Sequence, residues 1–290
     1  MYTPWAAFFS PEGQRLLQQC KDLALEEDGP ELTAMGLFAP DAYLNAAIRA
    51  KQDTLVVGLP VIGPVFRSLG SPFRWQALAA EATPVPAMTV VARISAPAVA
   101  MLKAERVILN FITHLSGIAN LTARYARELE GTGVRLLDTR KTTPGMRMLE
   151  KQAVKIGGGT NHRIGLFDMI LLKDNHVDFA GGIAAAIDRC HAYQQEKGLS
   201  LKIEIEVRNF DELQQVLDKG GVDRIMLDNF SVADTKKAVD LIGHRYETES
   251  SGGITFDTIR DYAEQGVDFI SVGALTHSVK GLDMSFKACD

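Results

Sequence analysis

Apolar and polar positions along this chain change rhythm near residue 115. Before that point the pattern is irregular. Residues 13–27 (GQRLLQQCKDLALEE) repeat apolar side chains at helical spacing and predict a helix, whereas ELTAMGLF, followed by Pro40, predicts a loop leading into a strand. Residues 53–58 (DTLVVG) and 85–93 (VPAMTVVAR) have the composition of short strands, and the prolines between 60 and 96 mark turns around them. Together these predict an antiparallel α+β module. Residues 104–129 (AERVILNFITHLSGIANLTARYAREL) keep helical spacing, interrupted at Gly117, and predict two helices or one long kinked helix.

Past residue 130 short apolar runs alternate with amphipathic helices: VRLLDTR, DMILLKDN, LKIEIEV, DRIMLDNF, ETESSGG and VDFISVGA are the runs. The intervening helices are well punctuated. NFDELQQVLDKGG ends in glycine, SVADTKKAVDLIG places Ser231 and Asp234 at capping-box spacing and closes on Gly243, and TFDTIRDYAEQG opens on Thr255 and stops at Gly266. Strand–helix repetition of this kind requires parallel strands joined by right-handed crossovers. Each run delivers polar or glycine residues at its carboxyl end: Arg140 and Lys141, Lys173, Glu206, Asp228, Ser251-Gly252-Gly253, and Ser271-Val272-Gly273. In an α/β barrel that end of the strands carries the active site, so the pattern points to an enzyme.

Composition narrows the class. With 46% hydrophobic residues and a net charge of −5, the 290-residue chain is expected to fold as one or two globular domains. A mildly acidic chain is not expected to bind nucleic acid generally or to coat a membrane surface, and no apolar run approaches the roughly 18 residues of a membrane span. MYTPWAAFFSPEGQ has neither the basic nor the long apolar region of a secretory signal. Cys20, Cys190 and Cys289 are odd in number, far apart and without CxxC spacing, which fits a reducing cytoplasm better than a disulfide framework or zinc site.

Charge is unevenly placed. Between 138 and 176 seven Lys and Arg face four acids, joined by His162 and His176, a cluster suited to a multiply anionic ligand. Within it Arg147, Lys151 and Lys155 have helical spacing and read as a solvated helix face, whereas Arg140, Lys141 and Lys173 follow strands and are expected in the barrel mouth. Glu206 and Asp228 suit Mg²⁺ held indirectly, sugar hydroxyls or a cationic sugar transition state, or else salt bridges to the nearby lysines. Glu204 shares a strand face with Glu206, so the choice between them stays open. SSGGI and SVGAL read as phosphate cradles or as ordinary turns, and Gly157-Gly158-Gly159 as a mobile loop bringing His162 and Arg163 to the site.

The run LLDTRKTTPGMRMLEKQAVKIGGGTNHRIGLFDMILLKDNH, with AERVILNFITHLSGIAN, IEIEV, IMLDNF and SSGGIT…ISVGALTHSVKGLDMSFK, resembles the quinolinate phosphoribosyltransferases. The resemblance is dense over 104–287 and looser before it, where EEDGPELT carries Pro30 and Glu31 in place of the family's usual glycine and aspartate. It implies an incomplete α/β barrel of the type II phosphoribosyltransferase kind over 116–275. It also implies an N-terminal α+β sandwich domain over 1–115, joined by about 276–290. The implied reaction joins quinolinate to phosphoribosyl pyrophosphate, releasing pyrophosphate and CO₂ and giving nicotinate mononucleotide for NAD synthesis, with Mg²⁺ and a cytoplasmic homodimer that shares its active sites. By position, Arg106 of a partner chain, Thr139, Arg140, Lys141, His162, Arg163 and Lys173 would bind the carboxylates and phosphates. Glu206 and Asp228 would serve the ribose and Mg²⁺–pyrophosphate, directly or through water or pyrophosphate, with Lys141, Glu206 and Asp228 catalytic. Ser251, Gly252, Gly253, Ser271 and Gly273 would hold the 5′-phosphate. Three competing readings are a relative specific for nicotinate, a Schiff-base aldolase using Lys173, and a metabolite-binding protein without catalysis.

Overall fold

A computed structural model describes residues 11–289; the first ten residues of the segment read as lacking a signal lie outside it. Two units emerge: Met1–Ala123 with Thr142–Gly158 and Leu275–Asp290, and Arg124–Lys141 with Gly159–Ala274. The boundary between these two units falls inside a helix, at Ala123/Arg124, and residues 142–158 join the first unit.

The first unit opens with α1 (Pro11–Glu27) and α2 (Leu32–Leu37), then β1 (Tyr43–Ala50) and β2 (Thr54–Val56). After a 3-10 turn come α3 (Ile62–Ser68), β3 (Arg74–Ala77), β4 (Thr83–Val85) and β5 (Val90–Pro97), leading into α4 (Ala98–Glu128). ELTAMGLF was expected to be a loop, but it forms α2, because the Glu31 carboxylate accepts the Ala34 N–H and caps a helix too short to show periodicity. Gly117 does not break α4: a Cβ there would lie 2.5 Å from the Lys280 carbonyl, so glycine admits the returning chain. That return ends in the last strand, β12 (Met284–Ala288), which gives an antiparallel sheet of order β12-β1-β5-β3, beside a small β2-β4 pair.

Helix α5 (Arg147–Ile156) also belongs to the first unit. It corrects two expectations. Lys151 is fully buried, together with Glu150, so the solvated face expected for Arg147, Lys151 and Lys155 fails at Lys151, while Lys155 is exposed and Arg147 half-buried; the Glu150 carboxylate meets His114 Nε2 at 2.7 Å and accepts the Thr143 N–H at 3.2 Å. Gly157 is not part of a loose loop but is buried at the end of α5, where a Cβ would stand 2.4 Å from the Ala119 carbonyl.

In the second unit β6 (Arg135–Leu137) and β7 (Ile170–Leu172) are followed by α6 (Asp174–Ala180) and α7 (Ile183–Lys197). Strand–helix units then follow in order: β8 (Ile203–Val207), α8 (Phe210–Lys219), β9 (Arg224–Asp228), α9 (Val232–Ile242), β10 (Glu247–Ser251), α10 (Ile259–Ala263) and β11 (Phe269–Ser271). A last short helix, α11 (Ala274–His277), follows β11, and from Leu275 on the chain belongs to the first unit. The six strands pair in parallel in the order β6-β11-β10-β9-β8-β7, with β6 and β7 at opposite ends, so the barrel is incomplete. Asn209 and Ser231 cap α8 and α9 by accepting the N–H groups of Glu212 and Asp234, whereas α10 starts at Ile259 rather than Thr255 because Thr255–Thr258 make a hydrogen-bonded turn first.

Alternation in the strands sorts the side chains. Ile203, Ile205, Val207, Ile225 and Leu227 pack with Leu213, Val216 and Ala238 of the helices in one buried cluster. The alternate positions Glu204, Glu206, Arg224, Met226, Asp228, Glu249 and Ser251 turn to the other side of the sheet, and their carboxyl ends form the site.

Candidate active site

The strand ends surround a cleft of about 610 Å³. Thr139, Arg140, Lys141, His162, Arg163, Lys173, Glu206, Asp228, Ser251, Gly252, Gly253 and Ser271 all line it. Two expected residues stand elsewhere: Gly273 lies beyond the end of β11, outside the lining, and Arg106 is exposed on α4 in the first unit.

One wall is cationic. Thr139 Oγ1 accepts the Lys141 N–H at 3.1 Å, turning the chain just past β6 so that Arg140 and exposed Lys141 reach the cleft. Arg163 donates from Nη1 to the Met169 carbonyl at 3.2 Å. Burial, then the neighbouring Arg140 guanidinium, push its pKa below the ordinary arginine value, while Glu204 and Asp168 oppose the shift. Two crowded guanidinium groups favour an incoming anion that neutralises both. His176 takes no place in the lining; its Nδ1 accepts the Lys173 N–H at 3.0 Å at the start of α6.

Facing this wall are acids and tight turns. Lys173 Nζ lies 2.9 Å from Glu206 Oε2, and Asp228 Oδ2 accepts from Asn229 Nδ2 at 2.8 Å. Gly252 has φ +91°, and a Cβ there would fall 2.4 Å from Asn229 Oδ1, so only glycine lets the β10 loop pass this close. Ser271 Oγ donates to Ser251 Oγ at 2.9 Å, bringing the two expected phosphate loops together.

Sequence reasoning missed Asp174, Asn229 and Glu249 in the lining. Asn229 was signalled by the Asp-Asn pair ending a strand, since asparagine tolerates its φ of +56°. Glu249 was signalled by its spacing of two from Ser251, which puts both on one strand face.

Beneath the cleft Glu204 and Glu249 are fully buried. Burial raises the Glu204 pKa, with Arg224 opposing; burial and then the Glu204 charge raise Glu249 to about 8. A carboxyl that keeps its proton in the fold until about pH 8, against an ordinary 4.5 unfolded, makes the folded state bind more protons across that window. Its contribution to stability therefore falls as pH rises from about 4.5 to about 8 and levels off above. Glu249→Gln removes this slope, so the melting temperature of the variant minus that of the wild type should rise across that window, a trend that thermal melts at stepped pH would measure. A difference independent of pH would contradict the shift.

The family model for the quinolinate phosphoribosyl transferase C-terminal domain matches residues 118–287, and the one for its N-terminal domain matches residues 31–116. The chain belongs to the quinolinate phosphoribosyltransferase family. A chloroplastic nicotinate-nucleotide pyrophosphorylase [carboxylating] of Arabidopsis thaliana is 39% identical over 91% of this chain and 80% of its own. A probable nicotinate-nucleotide pyrophosphorylase [carboxylating] of Bacillus subtilis is 38% identical over 90% of this chain and 89% of its own. The solved nicotinate-nucleotide pyrophosphorylase of Francisella tularensis superposes with a TM-score of 0.87 at 36% identity, covering 95% of this chain and 96% of that one. Membership of this phosphoribosyltransferase family sets aside the aldolase and binding-protein readings, and both family domains are accounted for within the chain.

Proposed function

We propose that the strand-end cleft of the second unit is where this enzyme brings its two substrates together, and that its cationic and acidic walls divide the work. The activity is that of a decarboxylating quinolinate phosphoribosyltransferase: quinolinate and phosphoribosyl pyrophosphate give nicotinate mononucleotide, pyrophosphate and CO₂. The observation that carries the site assignment is the convergence of Arg140, Lys141, Arg163 and Lys173 with Glu206 and Asp228 on one cleft.

Arg140, Lys141 and Arg163 bind the carboxylates of quinolinate and phosphate oxygens of the second substrate, with Arg106 reaching in from a second subunit. Lys173, paired with Glu206 at 2.9 Å, stands between the two walls. Departure of pyrophosphate leaves positive charge on the ribose, which Glu206 and Asp228 stabilise electrostatically. The ring nitrogen then bonds to C1′, and the quaternised ring accepts the electron pair released as the C2 carboxylate leaves as CO₂; a proton takes its place. The Ser251–Gly253 turn and Ser271 hold the 5′-phosphate by backbone N–H groups and hydroxyls.

Glu206 and Asp228 fit Mg²⁺, since they are oxygen donors on the adjacent strands β8 and β9, with Lys173 and Asn229 fixing one oxygen of each. Glu206 and Asp228 would hold Mg²⁺, directly or through water or pyrophosphate, and the ion would supply charge neutralisation for the leaving group.

Two observations support a homodimer and a reducing compartment. Leu166, Phe167 and Phe179 are 72%, 71% and 88% exposed beside an apolar cleft that Arg163 also lines, a patch suited to cover by a second copy of the chain. The three cysteines are free thiols, as in a cytoplasmic enzyme, and no helix of the described residues is long and apolar enough to cross a membrane. The function is tested by supplying quinolinate and phosphoribosyl pyrophosphate with Mg²⁺ and measuring CO₂ and pyrophosphate. Equal release of both is expected, with nicotinate a poor replacement because it lacks one carboxylate for the cationic wall. Pyrophosphate release driven equally well by nicotinate would overturn the substrate assignment.

A further inference from the structure

Inward side chains of α/β barrels are mostly branched and apolar. Under this cleft they are ionisable. His162, Glu204 and Glu249 bring their ligand atoms within 4.8 Å of one another, and all three are buried. His162 Nε2 stands 3.1 Å from Glu204 Oε2 and 3.5 Å from Glu249 Oε2. The other ring nitrogen, Nδ1, accepts the Arg163 N–H at 2.7 Å, which assigns the ring proton to Nε2, the nitrogen at ion-pair distance from both acids.

Two more strands support this cluster, one at the His162 segment and one at Glu249. Asp138, just past β6 and itself fully buried, accepts the His162 N–H at 2.8 Å and Asn161 Nδ2 at 2.6 Å. From β9, Arg224 donates to Glu249 Oε2 at 3.1 Å while its guanidinium lies 3.8 Å over the Phe269 ring. Glu204 and Arg224 are outside the cleft lining, and neither Glu204 oxygen has a hydrogen-bond partner among the described residues, so Glu204 meets His162 as a buried charge at 3.1 Å. A buried carboxylate of this kind is costly to keep unless it holds something in place.

We propose that Glu204 is a positioning residue: with Glu249 it fixes the His162 ring, and through the ring's contact with the Arg163 N–H it sets the cationic wall against which the dicarboxylate binds. Glu206, two residues on, acts on the ribose side; Glu204 acts on the acid side without touching substrate. This deepens the quinolinate reading and rests on it.

The test uses the full chain and two measurements. The first is ¹⁵N NMR of histidine-labelled enzyme, with His162→Gln assigning the His162 signals among the six histidines. Wild type should show His162 protonated on Nε2 and unprotonated on Nδ1. The second is steady-state kinetics of Glu204→Leu, which keeps the volume but removes the acceptor, and of Glu204→Gln, which restores an acceptor oxygen without the charge. The KM for quinolinate should rise about 10–100-fold in the leucine variant, by analogy with lost outer partners of metal-ligating histidines, with the KM for phosphoribosyl pyrophosphate nearly unchanged. The glutamine variant should recover most of the loss and the wild-type His162 signature. Equal losses for both substrates, or no recovery with glutamine, would overturn the proposal. So would a wild-type His162 found with its proton on Nδ1, a result that does not depend on either variant folding. A wild type that releases no CO₂ from quinolinate would instead overturn the substrate reading, leaving the ring tautomer as the separate test of the geometry.

Discussion

Replacing Lys173 by alanine should abolish quinolinate turnover and leave the fold in place, and Lys141→Ala should do the same. Lys173 follows β7 directly, with its side chain 47% exposed and its Nζ on Glu206, so its removal opens no cavity in the core. Partly exposed ion pairs contribute about 0–1 kcal/mol, so the melting temperature should move little. The kinetic cost is of another size. Without Lys173 the Glu206 carboxylate loses its fixed partner, and the anionic substrates lose a cation positioned before they bind. Loss of one preorganised electrostatic contact costs roughly 10²–10³ in rate, and here the same lysine serves both the acid and its neighbours. Lys141, exposed just past β6, removes no core contact either but subtracts from the wall formed with Arg140 and Arg163. Near-normal pyrophosphate release from either variant, with wild-type melting, would sink the site assignment. Lys173→Arg is expected to be a poor replacement, since a planar fork does not reproduce an ammonium on Glu206.

Much of the barrel was legible because each strand–helix unit carries its own punctuation. Asn209, Ser231, Gly220 and Gly243 mark helix ends by local hydrogen bonds, and the strands between them end on residues that must lie at the carboxyl edge. The cleft followed almost directly, since parallel strands put all those ends on one side. What escaped the sequence depends on partners distant along the chain. Gly117 looked like a break because the Lys280 carbonyl that needs the space is far away in sequence. Lys151 looked solvated because helical spacing records amphipathicity but not that α5 is covered from Leu149 through Val154. Glu204 and Glu249 differ: Glu204 was visible only as an alternative to Glu206 and Glu249 only by its spacing from Ser251, because alternation gives a strand face but not the depth at which each acid is buried. These inward acids also explain why the candidate site could be located while its supporting layer could not.

Activity should be recoverable from two inactive variants, Arg106→Ala and Lys141→Ala, purified apart and then allowed to exchange subunits. Arg106 is exposed on α4 in the first unit, whereas Lys141 lines the cleft of the second. In a two-fold dimer any residue lent across the interface is lent reciprocally. A mixed dimer then gathers both lesions in one site and leaves the other site intact. With random exchange about half the dimers are mixed, so about a quarter of all sites should be restored, because each mixed dimer regains one of its two. The exposed patch of Leu166, Phe167 and Phe179 supplies an independent check, since charged substitutions there should drive the dimer apart in sedimentation and lower activity with it. Were Arg106 to act within its own chain, every site in a mixed dimer would keep one lesion and mixing would restore nothing. Subunit exchange confirmed by mass-tagged chains, with no return of pyrophosphate release, would therefore refute the shared site while leaving the chemistry assigned to Lys141, Lys173 and Glu206 standing.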